Sequence, residues 1–371
     1  MVIQEINPLE MASLHIVYGN LSPLDETHGY KGTSHLIEHM IGTSIEPIID
    51  ELHVNGIDED FYTNHEHVVA SFKGTAAALE EMASKIVDTV VNTEASNLLE
   101  AQFECERQSI INEICEYHSD AVSDTLRRGI FDTFGILPPE GNLDDVNKYT
   151  YSEFVKTYNE KVHHPTKIVY VGPRKISLPE VEFSTQPNIQ VSFNVPKPRE
   201  LKIPQFEKGD FCTVGVVGAR PVIGDRDYAA MQIAMAMLGG DSDSVLYNDL
   251  RVNNGLVYDC TAAMEPMRNL GVIMFFTNTK AESVKDTVDR MQTILSNPTD
   301  YFTEAKFDRV KKWMGMKLKE KQIMRFASVG DLIRGGMITE MHDILNISYD
   351  EMLETVREYL KPDTLRFYFG H

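Results

Sequence analysis

Two histidines and a glutamate interrupt an otherwise apolar segment near the N-terminus, GTSHLIEHMIGT (32–43). Residues three or four positions apart share one face of a helix, so His35 and His39 can direct two imidazoles at one ion, with Glu38 beside them. Catalytic zinc has three nitrogen or carboxylate ligands and keeps one position for water, whose proton a nearby carboxylate can remove. The segment therefore predicts a hydrolytic zinc site; the competing interpretation is a half-exposed helix with histidines facing solvent.

A third ligand has to come from another element. The segment NLLEAQFECERQSIINEICEYH (97–118) has the apolar stripe of a long helix. Its glutamates are Glu100, Glu104, Glu106, Glu113 and Glu116. Spacing alone does not choose among them, and most must be solvated.

The chain contains an internal repeat. YSEFVKTYNEKVHHPTKIVYVG (151–172) is similar to YDEMLETVREYLKPDTLRFYFG (349–370), at an offset of 198 residues. Each copy predicts an amphipathic helix, a turn containing proline, and a strand that ends at glycine. A repeat of this length indicates a duplicated domain, because solenoid repeats have periods of about 20–50 residues.

The same offset aligns the polar trio of the first copy, His35, Glu38 and His39, with three residues of the second copy. The trio falls on Ile233, Ala236 and Met237, which are all apolar. A helix that can be apolar at these positions does not need two histidines in order to fold. The comparison favours a functional site in the first copy.

The duplication divides the chain into a domain at 1–172, a linker at 173–200 and a domain at 201–371. The linker holds five prolines and has no helical periodicity. Each domain combines a long helical stretch, 75–131 or 281–325, with short strands. We therefore predict an α+β fold of two homologous sandwich domains, in which mainly antiparallel sheets are flanked by helices.

Composition narrows the classes of partner. The formal net charge is -21, from 35 basic and 56 acidic side chains. Such a charge repels nucleic acid and anionic membranes and attracts cationic partners such as basic peptides.

No apolar run approaches the roughly 20 residues of a membrane span. Four scattered cysteines without C-x-x-C spacing, and no export signal pattern at the start, predict a cytoplasmic protein.

Four segments resemble the M16 family of inverted-motif zinc peptidases, and they occur along the chain in the same order as in the family. GTSHLIEHM resembles its Gly-x-x-His-x-x-Glu-His-Met segment, in which the usual H-E-x-x-H order is reversed. FECERQSIINEI resembles the helix that supplies the third ligand. NGIDEDFYTNHEHVVASF resembles its Gly-x-x-Asn-Ala-x-Thr strand region, although Asp60 and Phe61 stand where Asn and Ala are usual. GGDSDSVLYNDLRVNNGLVYDC resembles its Leu-Arg, Gly-Leu-x-Tyr segment.

This resemblance implies a zinc metalloendopeptidase. His35, His39 and Glu104 would bind Zn²⁺, and Glu38 would be the general base. Two departures from the family pattern accompany this assignment. The separation between His39 and Glu104 is shorter than usual, and Asn97 occupies the place, seven residues before the ligand, where a second acidic residue is usual.

The resemblance also implies how a peptide is held. The peptide would add as a strand beside Phe61, Tyr62 and Thr63. Arg251 and Tyr258 of the second copy would hold its backbone and steady the developing oxyanion.

The resemblance further implies a partner. In the family, two such two-domain units face each other and enclose a chamber, and 371 residues supply one unit. A homodimer is the simplest expectation, because one chain carries both half-sites; a heterodimer with a related subunit remains open. Two other classes also remain open: a non-catalytic peptide-binding or assembly subunit, and a protein whose metal is only structural.

Overall fold

The computed structural model of the chain describes residues 1–6, 10–26, 30–185, 201–220, 226–267, 270–324 and 344–371. The chain forms two compact units. The first comprises Met1–Glu116, Leu137–Ile189 and Lys321–Met337, and the second comprises Tyr117–Ile136, Gln190–Glu320 and Ile338–His371. The part of the predicted linker at 186–200 lies outside the described residues.

The described elements alternate between strands and helices along the chain. The strands are β1 (Val2–Ile6), β2 (Met11–Tyr18), β3 (Asp58–Thr63), β4 (Val68–Thr75), β5 (Lys167–Gly172), β6 (Phe211–Arg220), β7 (Val257–Pro266), β8 (Gly271–Lys280) and β9 (Leu365–Gly370). The helices are α1 (Thr33–Ser44), α2 (Ile49–Val54), α3 (Ala76–Asn92), α4 (Glu100–Ser119), α5 (Ala121–Phe134), α6 (Leu143–Lys148), α7 (Tyr151–Lys161), α8 (Arg226–Gly239), α9 (Val284–Ser296), α10 (Pro298–Tyr301), α11 (Glu304–Met324) and α12 (Tyr349–Tyr359). Among these helices, none combines the length and the apolar character that a membrane span requires.

The described strands of each unit form one sheet, and the two sheets share a strand order. The first sheet has the order β1-β5-β2-β4-β3, and the second has the order β9-β6-β8-β7. All described pairs are antiparallel except β1 with β5. Apart from β1, each strand of the first sheet therefore has a counterpart in the second. This arrangement confirms the predicted α+β fold and its duplication.

The repeat is visible in the helix–strand unit that closes each copy. Helices α7 and α12, and strands β5 and β9, begin and end 198 residues apart. Thr150 and Ser348, also 198 residues apart, each start their helix with a capping box, in which the side chain accepts a hydrogen bond from a glutamate N–H and that glutamate's carboxylate bonds back. Equivalent caps satisfy equivalent backbone groups, so the similarity in sequence is a similarity in local structure.

Helix α5 packs in the second unit, although the sequence-based boundary had placed it in domain 1–172. Its Gly129 lies so close to β9 that a Cβ atom there would be 2.9 Å from the ring of Tyr368. The Thr133 and Tyr368 hydroxyls are 2.8 Å apart and share a hydrogen bond. Glycine at the point of contact allows this approach, and chain order does not reveal which sheet a helix will cover.

The first part of the predicted linker is packed in the first unit. Ile176 is buried in its core. The Gln4 side chain of β1 accepts from the Ile176 N–H at 2.9 Å and donates to the Ile176 carbonyl at 3.0 Å. Residues 173–185 thus form neither helix nor strand, and Gln4 of the edge strand β1 anchors them to the first sheet.

Candidate metal centre

Helix α1 is fixed at its start by contacts that only glycine permits. Gly32 has φ of 95°, and a Cβ atom there would lie 2.6 Å from the carbonyl oxygen of Glu140. The carboxylate of Glu26 accepts hydrogen bonds from the N–H groups of Gly32 and Ser34, at 2.9 and 2.6 Å. These two N–H groups have no acceptor within the helix, and Glu26 supplies one. The contacts fix the start of α1 and therefore the direction of the side chains that follow.

Two histidines of α1 and one glutamate of α4 converge on one point. Nε2 of His35 lies 3.5 Å from Oε2 of Glu113, and Nε2 of His39 lies 3.8 Å from the same oxygen. One ligand atom from each of the three residues falls within 4.8 Å of the others. Two imidazole nitrogens and one carboxylate oxygen are the donor set of many catalytic zinc sites. These residues therefore fit a zinc ion, which would be held by His35, His39 and Glu113.

The ring of His39 is oriented by a second carboxylate. Nδ1 of His39 lies 2.9 Å from Oε2 of Glu106. With Nδ1–H donating to this carboxylate, Nε2 carries the lone pair on the side of Glu113. Metal-binding histidines usually have such a partner, which fixes the tautomer and makes the ring a better ligand.

Glu38 is the buried acid of the site. Its Oε2 accepts a hydrogen bond from Oγ1 of Thr63 at 3.2 Å and lies 3.6 Å from Nε2 of His35. Burial raises the pKa of Glu38 to about 7; His39 and the Thr63 hydrogen bond oppose the rise, and the negative charges of Glu113 and Asp60 add to it. A carboxyl group with a pKa near neutrality can both accept and release a proton.

The structure corrects the expected position of the third ligand. Glu104 forms an ion pair with Arg107 on its own helix, with Nε of Arg107 at 3.1 Å, and its side chain is 48% exposed. Glu113 follows Glu104 by nine residues, which is two and a half helical turns at 3.6 residues per turn. The two glutamates therefore lie on opposite faces of α4, and Glu113 lies on the face of the histidines.

Both departures from the family pattern disappear with this correction. Glu106 stands seven residues before Glu113, two turns away on the same face, so a second acidic residue is present. The distance along the chain from His39 also lengthens by nine residues. The seven-residue spacing between Glu106 and Glu113 was the signal in the sequence that could have identified the ligand.

The predicted peptide-binding strand, β3, lies at the edge of the first sheet and pairs with β4 among the described strands. The Phe61 ring packs inward against Phe72, with ring centres 6.1 Å apart. Tyr62 packs on a separate apolar cluster that includes Val69. Thr63 donates to Glu38. The side chains of Phe61 and Tyr62 thus serve packing, and the outer backbone edge of β3 is the part suited to a peptide.

The structure brings Arg251 and Tyr258 together in the second unit. Arg251 lies in a π-helix (Tyr247–Asn253), and its guanidinium carbon is 4.4 Å from the ring centre of Tyr258 and 4.9 Å from that of Tyr247. The β7 ladder shifts register between Val257 and Cys260, and Tyr258 at this irregularity is 77% exposed. A bulge can re-aim a side chain in this way, and here it presents the tyrosine to solvent.

Comparison with known families finds a match to part of the chain. A family model described as the peptidase M16 inactive domain matches residues 141–314. This match supports membership of the M16 peptidase family. The matched segment begins after α1 and α4, so it does not include the residues of the metal centre. Curated protein sequences gave no match.

Several solved structures share the fold of this chain. A protease from Helicobacter pylori superposes with a TM-score of 0.83 at 15% identity, over 99% of this chain and 96% of that one. A subunit of complex III2 from Candida albicans gives 0.78 at 13% identity, over 100% and 93%. The periplasmic protease PqqL from Escherichia coli gives 0.71 at 15% identity, over 99% of this chain and 46% of that one.

Proposed function

We propose that this M16 protein is a zinc-dependent metalloendopeptidase that cleaves unstructured peptides or removes a leader segment from a precursor. The observation that carries the proposal is the convergence of His35, His39 and Glu113 on one point, with Glu38 beside it. Structural zinc normally has four protein ligands. Three ligands and an adjacent carboxylate suit hydrolysis better than a purely structural metal.

The chemistry is divided between the metal and the chain. A bound zinc ion would polarise the peptide carbonyl and lower the pKa of the attacking water towards neutrality. Glu38 accepts the proton of that water and delivers it to the leaving amine, a cycle for which a pKa near 7 is suited. Thr63 holds the Glu38 carboxylate through its hydroxyl, and Glu106 holds the ring of His39.

The substrate would bind as an added strand. The outer edge of β3 offers backbone groups to an extended chain, and strand addition supplies affinity through main-chain hydrogen bonds. The net charge of -21 favours basic peptides. Arg251 and Tyr258 would hold the peptide from the other side and stabilise the oxyanion.

One half-site is the metal centre with the edge of β3, and the other is the pair Arg251 and Tyr258. A homodimer would place the two half-sites opposite each other, with Arg251 and Tyr258 completing the site of the partner. The length of PqqL supports pairing of units, since this chain spans less than half of that protease. A heterodimer with a related M16 subunit would satisfy the same requirement.

A second candidate function is a non-catalytic peptide-binding or assembly subunit. Two observations favour it: the matched family model is that of an inactive domain, and one similar chain belongs to complex III2. A subunit without catalysis has no need for the buried Glu38 beside two histidines and a glutamate, so we favour the peptidase.

Hydrolysis of a quenched fluorescent peptide separates the two functions. We expect an unstructured basic peptide to be cut, the activity to stop after chelation, and zinc to restore it. A tightly folded protein of similar size serves as the control and should remain intact. Peptide binding without any hydrolysis, in the presence of stoichiometric zinc, would instead establish the assembly subunit.

A further inference from the structure

The π-helix that carries Arg251 is linked to the neighbouring helix α9 by a partly buried ion pair. Asp249 lies in the π-helix and is 5% exposed. Arg290 of α9 donates from Nε to Oδ1 of Asp249 at 2.8 Å and from Nη2 to Oδ2. Such a two-pronged contact fixes orientation as well as distance.

Further hydrogen bonds extend this pair in both directions. Nη2 of Arg290 also donates to the Tyr301 hydroxyl at 3.3 Å. At the end of the π-helix, the Asn254 amide donates to the Asp249 carbonyl at 2.7 Å. Asp249 therefore connects α9 with the turn that leads into β7.

The same turn sets the position of Arg251. The Gly255 N–H donates to the Arg251 carbonyl at 3.1 Å, and the Leu256 N–H donates to the Leu250 carbonyl at 2.8 Å. Two residues after Leu256, Tyr258 receives the guanidinium of Arg251 over its ring. The stacked pair is thus built on backbone that the Asp249 contacts hold at one end.

The π-helix is rare, occurs mostly as a single turn, and is frequently found at functional sites. We propose that Arg290 is a positioning residue for the stacked Arg251–Tyr258 pair, acting through Asp249. The inference rests on the proposed function, because it takes that pair to hold the peptide substrate. Loss of Arg290 leaves the carboxylate of Asp249 buried without its counter-charge, and the π-helix must then rearrange.

A double-mutant cycle tests the proposal. We expect Arg290→Met to lower kcat/KM by about 10- to 100-fold, the size of a small misplacement of a binding group. In an Arg251→Ala background the same change should cost less than about twofold, because the group to be positioned is gone. Arg290→Lys should recover part of the activity, since an ammonium restores the charge but not the two-pronged contact. Equal losses in both backgrounds would overturn the proposal.

Hydrogen exchange supplies a readout that does not depend on activity. Amides of the π-helix should exchange faster in Arg290→Met, and the matched control Lys285→Met, which removes the exposed Lys285–Asp289 pair of the same helix, should leave them unchanged. If the protein proves not to be a peptidase, this exchange pattern still decides whether Arg290 holds the π-helix. Unchanged exchange in Arg290→Met would refute the positioning role.

Discussion

Nδ1 of His39 lies 2.9 Å from the Glu106 carboxylate, and Nε2 of the same ring faces Glu113. Both ring nitrogens therefore have a role: Nδ1 bonds the carboxylate of Glu106 on α4, and Nε2 points to the proposed ion. Glu106 and Glu113 occupy one face of one helix, so α4 both supplies a ligand and orients another. Disturbing α4 should therefore change the metal centre in two separable ways.

Replacing Glu106 should weaken zinc binding without abolishing it. Glu106→Gln removes the charge that orients His39, and loss of such a partner typically costs about 10- to 100-fold in metal affinity. Competition with a chromogenic chelator measures the change. Glu100→Gln, at the exposed start of the same helix, is the control and should bind zinc as the unmodified protein does. Equal affinity in Glu106→Gln would contradict the orienting role.

Glu113 and Glu104 form a matched pair for testing the ligand assignment. Glu113→Gln should lose stoichiometric zinc, because an amide replaces the anionic ligand between the two histidines. Glu104→Gln should retain zinc, because its carboxylate is paired with Arg107. Metal content after dialysis distinguishes the two. The reverse result, with zinc lost only in Glu104→Gln, would restore the expectation from the sequence.

Glu38→Gln should stop cleavage and leave the metal in place. The amide is nearly the same shape as the carboxylate but cannot accept the proton of the water, and loss of a general base typically costs about 10²- to 10⁴-fold in rate. Zinc content and peptide hydrolysis are measured on the same sample. Full activity in this variant would show that Glu38 is not the base.

Arg251→Ala should lower kcat/KM by about 10²- to 10³-fold, the loss expected for one oxyanion donor. Zinc content should not change. Val252→Ala, an exposed residue of the same π-helix, is a suitable control. Release of zinc from Arg251→Ala would mean that the second unit contributes to the metal centre.

Acid should destabilise the first unit through His15. Burial lowers the pKa of His15 from 6.5 to about 3, and the positive charge of Lys73 adds to the shift. The unfolded chain takes up this proton near pH 6.5 and the folded chain does not, so stability is complete above pH 6.5 and declines as pH falls towards 3.

A variant without the imidazole isolates this contribution. Between pH 6.5 and 5 the free energy of unfolding should fall by about 2 kcal/mol from His15 alone, at about 1.4 kcal/mol per pH unit. His15→Gln keeps an amide that can bond the Ser71 hydroxyl, which lies 2.8 Å from Nδ1, and its urea unfolding should show a shallower decline. The comparison is made with chelator present, so that protonation of the metal ligands does not contribute. Parallel declines in both proteins would contradict the assignment.

For physical reasons, the fold and the α1 residues of the candidate site, His35, Glu38 and His39, could be predicted from the sequence. The helix–strand repeat is local, and its caps at Thr150 and Ser348 can be recognised within a few residues. The spacing of His35 and His39 likewise predicts a shared face of one helix. Helical spacing within α1 does not select Glu113, because a ligand from another helix depends on how α1 and α4 pack. The seven-residue spacing from Glu106, set against the family pattern, is the one sequence signal that points to it. The sheet that α5 covers depends on packing in the same manner.

The most direct test of the zinc centre is anomalous X-ray diffraction at the zinc edge from crystals grown with the metal. We expect one strong peak per chain between Nε2 of His35, Nε2 of His39 and the Glu113 carboxylate, and none in Glu113→Gln crystals. A peak elsewhere, or none at this point despite saturating zinc, would contradict the account.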